Sequence, residues 1–148
     1  MSNEPDLPDA PIQADRFARA RTAQSTALSE DYAELIADLL DQEGEARTTD
    51  MAKRLGVSHA TAIKALSRLK REGLVTARPY RGVFLTETGR ERAARARARH
   101  RLVVDLLLAI GVPHEAAEQD AEGIEHHVSD TTLAAFAEFV ANPVRRAS

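Results

Sequence analysis

Hydrophobic residues recur at three- and four-residue intervals over most of this chain, which is the spacing of helices that bury one face. Such a helix is predicted between Ser29, a good N-cap, and Gly44, where it ends; its apolar face consists of Tyr32, Leu35, Ile36, Leu39 and Leu40. Further helices are predicted at 49–55, 58–71, 88–109, 114–127 and 131–141. Residues 74–78 and 82–86 read instead as two strands of a hairpin. We therefore expect a mainly α fold with a small β-wing.

The N-terminal segment has a different pattern. Residues 1–11 are acidic and rich in proline and have almost nothing to bury, so we expect a disordered tail. Residues 12–27 permit a helix, but they contain few apolar residues with which it could pack. We treat residues 1–28 as a partly disordered N-terminal extension.

Composition and charge narrow the class of function. The 148 residues include no cysteine, which excludes disulfides, thiolate nucleophiles and iron–sulfur clusters and fits a reducing cytoplasm. The longest apolar run, 102–112, is too short to span a bilayer, so we expect a soluble cytoplasmic protein without a membrane partner. The net charge of −3 hides an asymmetry: residues 45–101 carry 15 Lys and Arg against 5 Asp and Glu (+10), and the rest carry 5 against 18 (−13). A basic segment between acidic ones is typical of a nucleic-acid-binding protein with an acidic second function.

The basic segment has the spacing of a helix-turn-helix. Ala52 is small where two helices cross, Gly56 permits the tight turn, and Ser58 caps the second helix. The outer face of that helix would enter a major groove, and the arginines of the hairpin would hold phosphate or minor groove, which predicts a winged helix. The alternative is a buried helical pair with a solvated charged face. The predicted DNA-binding residues are Ser58, His59, Thr61, Lys64, Arg68, Arg78 and Arg81.

Acidic residues and histidines form a second set of candidates. Two carboxylates lie three residues apart on the first predicted helix, and two carboxylates and a histidine share one face of a later helix. If they converge, these carboxylates would repel one another unless a cation neutralised them, and such donors suit Mn²⁺ or Fe²⁺. Spacing alone leaves open that each residue is ordinary surface. The candidate ligands are Asp31, Glu34, His100, Glu122, Glu125 and His126.

Taken together, these motifs resemble the manganese-responsive transport regulators of the diphtheria-toxin-repressor (DtxR) family. The resemblance covers roughly residues 29–141, and it is carried by 29–34, 57–64, 81–86 with Gly89, and above all 120–127, which contains EGIEHH. It implies a winged helix-turn-helix DNA-binding domain at 29–92 and a helical metal-binding and dimerisation domain at 93–148.

The resemblance also implies a paired-metal site. One ion would be held by the backbone carbonyl of Glu122 and by the side chains of Asp31, Glu34, His100 and Glu125. The second ion would be held by Glu34, Glu122, Glu125 and His126, so that Glu34 and Glu125 bridge. In iron-responsive relatives a methionine and a cysteine stand at two of these positions, here Asp31 and Glu122, which favours Mn²⁺, with Fe²⁺, Co²⁺, Zn²⁺ or Cd²⁺ as substitutes.

The function implied is that of a homodimeric transcription factor, not an enzyme, which represses manganese uptake genes and takes no small-molecule substrate. The dimer would form through Leu102, Val103, Leu106 and Leu107, with Ile124, Leu133, Phe136 and Phe139 nearby. Two-fold symmetry would present two recognition helices to a palindromic double-stranded DNA operator. Two alternatives stay open: a winged-helix regulator that responds to another metal (iron, zinc) or an organic effector, and a hydrolase with bridged metal ions.

Overall fold

The computed structural model describes residues 6–142. Within that range the chain forms six helices and one two-stranded sheet: α1 (Ala10–Glu43), α2 (Thr48–Leu55), α3 (His59–Arg71), β1 (Val75–Arg78), β2 (Gly82–Leu85), α4 (Glu87–Ala109), α5 (His114–Ile124) and α6 (Asp130–Ala141). The strands are antiparallel, with Val75 opposite Leu85 and Arg78 opposite Gly82. The expected mainly α fold with a small β-wing is confirmed.

The first helix begins much earlier than expected. α1 runs without a break past Ser29, so the prediction that Ser29 caps its N-terminus is wrong. Ser29 is buried, and its hydroxyl donates a hydrogen bond to Glu72 Oε2 over 3.2 Å. The helix continues through 12–27 because this segment contains neither glycine nor proline and is rich in alanine and arginine, which are good helix formers.

The predicted N-terminal tail is correspondingly shorter. Residues 6–9 have no regular structure, whereas residues 10 and 11 already belong to α1. The rest of that prediction, at residues 1–5, lies outside the described residues. Among the helices of the described range, none is both long and apolar enough to cross a membrane.

A tight turn joins α2 to α3, as the sequence predicted. Gly56 has a φ of 68°, in the left-handed region that glycine enters without steric cost. The Ser58 side chain accepts a hydrogen bond from the backbone N–H of Thr61 over 3.1 Å and so caps α3. Ala52 and Ala62, on the two helices, are both buried.

Two apolar clusters form the interior. The larger one joins α1, the helix-turn-helix and the wing, and its main members are Tyr32, Ile36, Leu39, Met51, Leu69, Leu74, Val83, Leu85 and Ala93. The smaller one consists of Val103, Val104, Ala117 and Ala121, with Leu107, Val112 and Leu133 packed against it. Val103 is fully buried within its own chain, so the expectation that it lies in a dimer interface is wrong. Leu108, Ile110 and Ile124 remain exposed.

α4 connects the two clusters. Ala93 on its N-terminal part belongs to the larger cluster, and Val103 belongs to the smaller. α1 packs beside it, and ion pairs such as Asp38 with Arg97 join the two helices. His100 lies on α4 between Ala93 and Val103, so it lies where the two clusters meet.

Candidate metal centre and nucleic-acid interface

Three separate segments bring ionisable side chains to the junction of the two clusters. They are α1, the middle of α4, and the end of α5 with the turn that follows it. Two groups of possible ligands have donor atoms that all lie within 4.8 Å of one another: Asp31, Glu122 and His126, and His100, Glu122 and Glu125. The fold therefore brings together five of the six predicted metal ligands.

Glu34, the sixth predicted ligand, lies beside these groups and belongs to neither. Its side chain lines two cavities, one shared with His100 and the other with Asp31 and Glu122. Burial, together with the negative charges of Glu125, Glu122 and Asp31, raises the pKa of Glu34 to about 7. In this structure Glu122, not Glu34, is common to both groups.

Two buried atoms at the centre of the site lack hydrogen bonds. Glu125 is 1% exposed, and its Oε2 lies 2.5 Å from Nδ1 of His100. Its Oε1 lies 3.3 Å from Nε2 of His126, and neither atom makes a hydrogen bond within the described part of the chain. Asp31 Oδ1 lies 3.3 Å from the same Nε2. Because buried polar atoms nearly always have partners, and carboxylate oxygens with imidazole nitrogens are donors for ions such as Mn²⁺ and Fe²⁺, these residues fit a divalent cation.

The two imidazoles are strongly affected by this acidic environment. The carboxylates of Asp31 and Glu30 raise the pKa of His126 to about 10, against the opposing effect of burial. Burial lowers the pKa of His100, but hydrogen bonds with Glu118 and Glu125 outweigh that effect, and the net direction is upward. In the metal-free protein, protons on the imidazoles therefore offset part of the negative charge. A metal has to displace protons from the coordinating nitrogens, so its affinity should rise with pH.

Sequence reasoning missed the carboxylates outside the candidate ligand set that bond to the ring nitrogens of the two histidines. Glu30 Oε2 accepts a hydrogen bond from Nδ1 of His126 over 2.9 Å and also pairs with Arg99, while Glu118 Oε2 lies 2.9 Å from Nε2 of His100. Burial would raise the pKa of Glu30, but His126 and Arg99 more than offset it, and the pKa lies below its usual value. The available signal was position, since Glu30 and Arg99 each adjoin a candidate ligand in the sequence and Glu118 lies one helical turn from another.

The predicted DNA-binding residues lie on α3 and the wing. All but one are exposed: Ser58, His59, Thr61, Lys64, Arg78 and Arg81. Arg68 is the exception, because its Nε donates to Glu72 Oε1 over 2.9 Å and its guanidinium also contacts Ser25 on α1. The hydroxyls of Ser58 and Thr61 bond to each other over 2.8 Å, so part of their hydrogen-bonding capacity is used in the cap.

Two arginines contact the wing, beside its strand pairing and the hydrogen bond from the Val83 backbone N–H to the Ala46 oxygen. Arg47, which the sequence reasoning did not single out, donates a hydrogen bond to the backbone oxygen of Tyr80 over 3.1 Å. The Arg78 guanidinium lies 4.9 Å from the centre of the Phe84 ring. Tyr80 and Arg81 at the tip remain exposed, which leaves a cationic and an aromatic group available to a partner.

Comparison with known proteins agrees with this arrangement. Residues 25–83 match the family description "Iron dependent repressor, N-terminal DNA binding domain", and residues 86–147 match "Iron dependent repressor, metal binding and dimerisation domain". The chain is 52% identical over 120 residues to the transcriptional regulator MntR of Escherichia coli O6:H1 (strain CFT073), covering 81% of this chain and 77% of that protein. It is 50% identical over 123 residues to MntR of Salmonella typhimurium (strain LT2), covering 83% and 78%.

A solved structure described as a manganese-dependent transcriptional repressor in complex with manganese is 30% identical to this chain, with a TM-score of 0.69. The match covers 76% of this chain and 52% of that one, so the present chain spans about half of the solved protein. The family consists of transcriptional regulators and not of enzymes, which removes the hydrolase alternative. With its helix-turn-helix and its cluster of carboxylates and imidazoles, the chain belongs to the iron-dependent (DtxR) repressor family: it is a dimerising, DNA-binding transcriptional repressor that depends on a divalent metal.

Proposed function

We propose that this repressor responds to manganese and controls manganese uptake genes. The observation that carries the proposal is the convergence of α1, α4 and the end of α5 around Glu125 Oε1 and His126 Nε2, two buried atoms that make no hydrogen bond within the described part of the chain. Oxygen and nitrogen donors without cysteine suit Mn²⁺. The relatives with 50–52% identity are named MntR, which supports the same metal.

The proposed ligands are Asp31, Glu34, His100, Glu122, Glu125 and His126. Two ions per subunit would use the two groups described above, with Glu122 common to both and Glu34 completing the set from the adjoining cavities. Fe²⁺, Co²⁺, Zn²⁺ and Cd²⁺ would use the same donors. Since such sites bind Fe²⁺, Co²⁺ and Zn²⁺ more tightly than Mn²⁺, selectivity would have to come from geometry and metal availability.

The ligands also explain how metal could control DNA binding. Asp31 and Glu34 lie on α1, whose apolar face is part of the cluster that supports the helix-turn-helix, whereas His100 and Glu125 lie next to the smaller cluster. A bound metal supplies the positive charge that the carboxylates require. Without it, the negative charges of Glu34, Glu122 and Glu125 oppose one another across the junction and leave the two parts less firmly joined. A firm junction lowers the ordering cost of binding DNA, so metal tightens DNA binding. By thermodynamic linkage, DNA must tighten metal binding by the factor by which metal tightens DNA binding.

We further propose that the exposed face of α3 lies in the major groove, with the wing on the adjacent backbone. The proposed contacts are Ser58, His59, Thr61, Lys64, Arg68, Arg78 and Arg81. We keep the division into a DNA-binding domain at 29–92 and a dimerisation domain at 93–148, and the two apolar clusters support two such units, with Ala93 still packed in the larger one. In a two-fold dimer, paired α3 helices would read a palindromic operator.

The test is binding to a fluorescent duplex, selected from a random pool on the manganese-loaded protein, measured at fixed salt with MnCl₂ or with EDTA. We expect tight binding only with Mn²⁺, and no stimulation by Mn²⁺ in Glu125→Ala. Equal affinities under the two conditions would refute the switch. Lys64→Ala is the reciprocal variant, with weaker DNA binding at every Mn²⁺ concentration and unchanged metal affinity in DNA-free protein. A loss of metal affinity in Lys64→Ala would show that the two sites are not separate.

A further inference from the structure

A buried carboxylate lies on the far side of the candidate ligand His126. Glu30 is 6% exposed, although glutamate is seldom buried unless it is paired. Its Oε2 accepts a hydrogen bond from His126 Nδ1 over 2.9 Å and is also in contact with the Arg99 guanidinium from α4. One oxygen atom therefore joins α1, α4 and the turn after α5.

The hydrogen bond determines which nitrogen of His126 faces the site. A neutral imidazole has one N–H and one free lone pair, and a metal ligand must offer the lone pair. Because Glu30 holds the proton at Nδ1, the proton that leaves when a metal binds comes from Nε2, which then offers the lone pair; Nε2 lies 3.3 Å from both Asp31 Oδ1 and Glu125 Oε1. Glu30 contacts the ring at Nδ1, away from Nε2, and belongs to neither group of candidate ligands among the described residues, so it is placed to hold the ring and not to bind the metal.

We propose that Glu30, anchored by Arg99, is a positioning residue of the metal centre, which fixes the ring orientation and the protonated nitrogen of His126. The inference rests on the proposed function, since it assumes that a metal binds at His126. Partners of this kind orient the ligand and raise its basicity, and their loss typically lowers metal affinity about 10- to 100-fold.

A purely structural role is the competing explanation, because the Glu30–Arg99 pair also joins α1 to α4. The chain offers a matched control: Asp38 on α1 pairs with Arg97 on α4 and so joins the same two helices. Asp38 lines the cavity that also holds Asp31, Glu34 and Glu122, but among the described residues its hydrogen bond and ion pair go to Arg97 and not to a candidate ligand. If Glu30 only holds the helices together, removing either ion pair should lower metal affinity through stability alone. If it positions His126, the effect on metal affinity should be confined to Glu30 and Arg99.

The experiment measures Mn²⁺ affinity by calorimetry, with thermal unfolding of each variant alongside. We expect Glu30→Ala to bind Mn²⁺ about 10- to 100-fold more weakly than the parent protein. Glu30→Gln, which keeps a neutral acceptor, should lie between the two, and Asp38→Asn should bind as the parent does. His126→Ala sets the limit for loss of the ligand itself. The inference is overturned if Glu30→Ala and Glu30→Gln bind as tightly as the parent, or if Asp38→Asn is equally impaired.

A spectroscopic measurement separates positioning from stability. In protein labelled with ¹⁵N-histidine and loaded with diamagnetic Cd²⁺, the His126 Nδ1 proton should be seen protected from exchange, retained in Glu30→Gln and lost in Glu30→Ala. If Glu30→Ala does not fold, Glu30→Gln decides the matter: full affinity with an unchanged Nδ1 resonance overturns the inference, and reduced affinity with a shifted resonance supports it. A parent protein that binds neither Mn²⁺ nor Cd²⁺ overturns the proposed function instead.

Discussion

Replacing Glu34 by glutamine should stabilise the metal-free protein and weaken its response to metal. The glutamine has nearly the same shape but carries no charge, so it removes the cost of burying a charge and the repulsion from Glu125, Glu122 and Asp31. The ordinary pKa of the side chain is 4.5, and in the folded protein it is about 7. Because the raised pKa belongs to the folded state, ionisation of Glu34 lowers the free energy of unfolding as the pH rises from 4.5 to 7. The loss of stability is complete above pH 7.

The size of the effect follows from these two pKa values. Each pH unit between them corresponds to about 1.4 kcal/mol, which sets an upper limit of about 3 kcal/mol. Glu34 is partly exposed, and solvent screens part of the repulsion, so we expect a gain of about 1–2 kcal/mol at pH 8 and almost none at pH 4. In the parent protein, bound metal offsets the cost of the Glu34 charge, since a ligand present at about 100 times its Kd stabilises a folded protein by about 2.7 kcal/mol.

The assay is urea unfolding at pH 4 and pH 8, at one protein concentration, in EDTA and then at pH 8 with MnCl₂. Glu34→Gln should be the more stable protein in EDTA at pH 8 and should gain less from MnCl₂ than the parent. Glu43→Gln is the matched control, because Glu43 also lies on α1 but forms only an exposed ion pair with Arg54. The reasoning fails if Glu34→Gln is no more stable than the parent at pH 8 in EDTA, or if the gain is equally large at pH 4.

Four further substitutions, of which one is a control, test the packing, the recognition helix and the dimer. Gly89→Ala should lower the stability of the protein by at least about 2 kcal/mol in thermal unfolding, because a Cβ there would lie 2.1 Å from the carbonyl oxygen of Leu74. Gly123→Ala is the control, because a Cβ there meets nothing within 4 Å. It should be neutral or stabilising by up to about 1 kcal/mol. Ser58→Ala removes the cap of α3 and should cost about 1 kcal/mol in urea unfolding, and a change below about 0.3 kcal/mol would show that the cap contributes little. Leu106→Asp, on the half-exposed apolar part of α4, should give a monomer in light scattering with unchanged helix content by circular dichroism, and a persistent dimer would place the interface elsewhere.

The two histidines and Ser29 show where sequence reasoning succeeded and where it could not. The spacing of Glu122, Glu125 and His126 predicts one helical face for all three, but α5 ends at Ile124, and Glu125 and His126 lie in the turn that follows it. They still reach one site because they are close neighbours along the chain. Ser29 has the local signals of a helix start, yet it lies inside a longer helix and bonds to Glu72, 43 residues away. The partners that hold His100 and His126 from behind lie 18 and 96 residues distant, and no periodicity indicates such pairs.

The sequence by itself determined α2, α3, α4, α6, the wing, the turn at Gly56 and the cap at Ser58, because each depends on neighbours within a few residues. It also supplied the donor types of the metal centre and the basic segment of the DNA-binding module. Only the tertiary structure decided that Val103 is buried within its own chain, that Glu122 is common to both groups of ligands, and that Glu30 lies behind His126. These features depend on how α1, α4 and α5 pack against one another, and packing between distant segments leaves no period in the sequence.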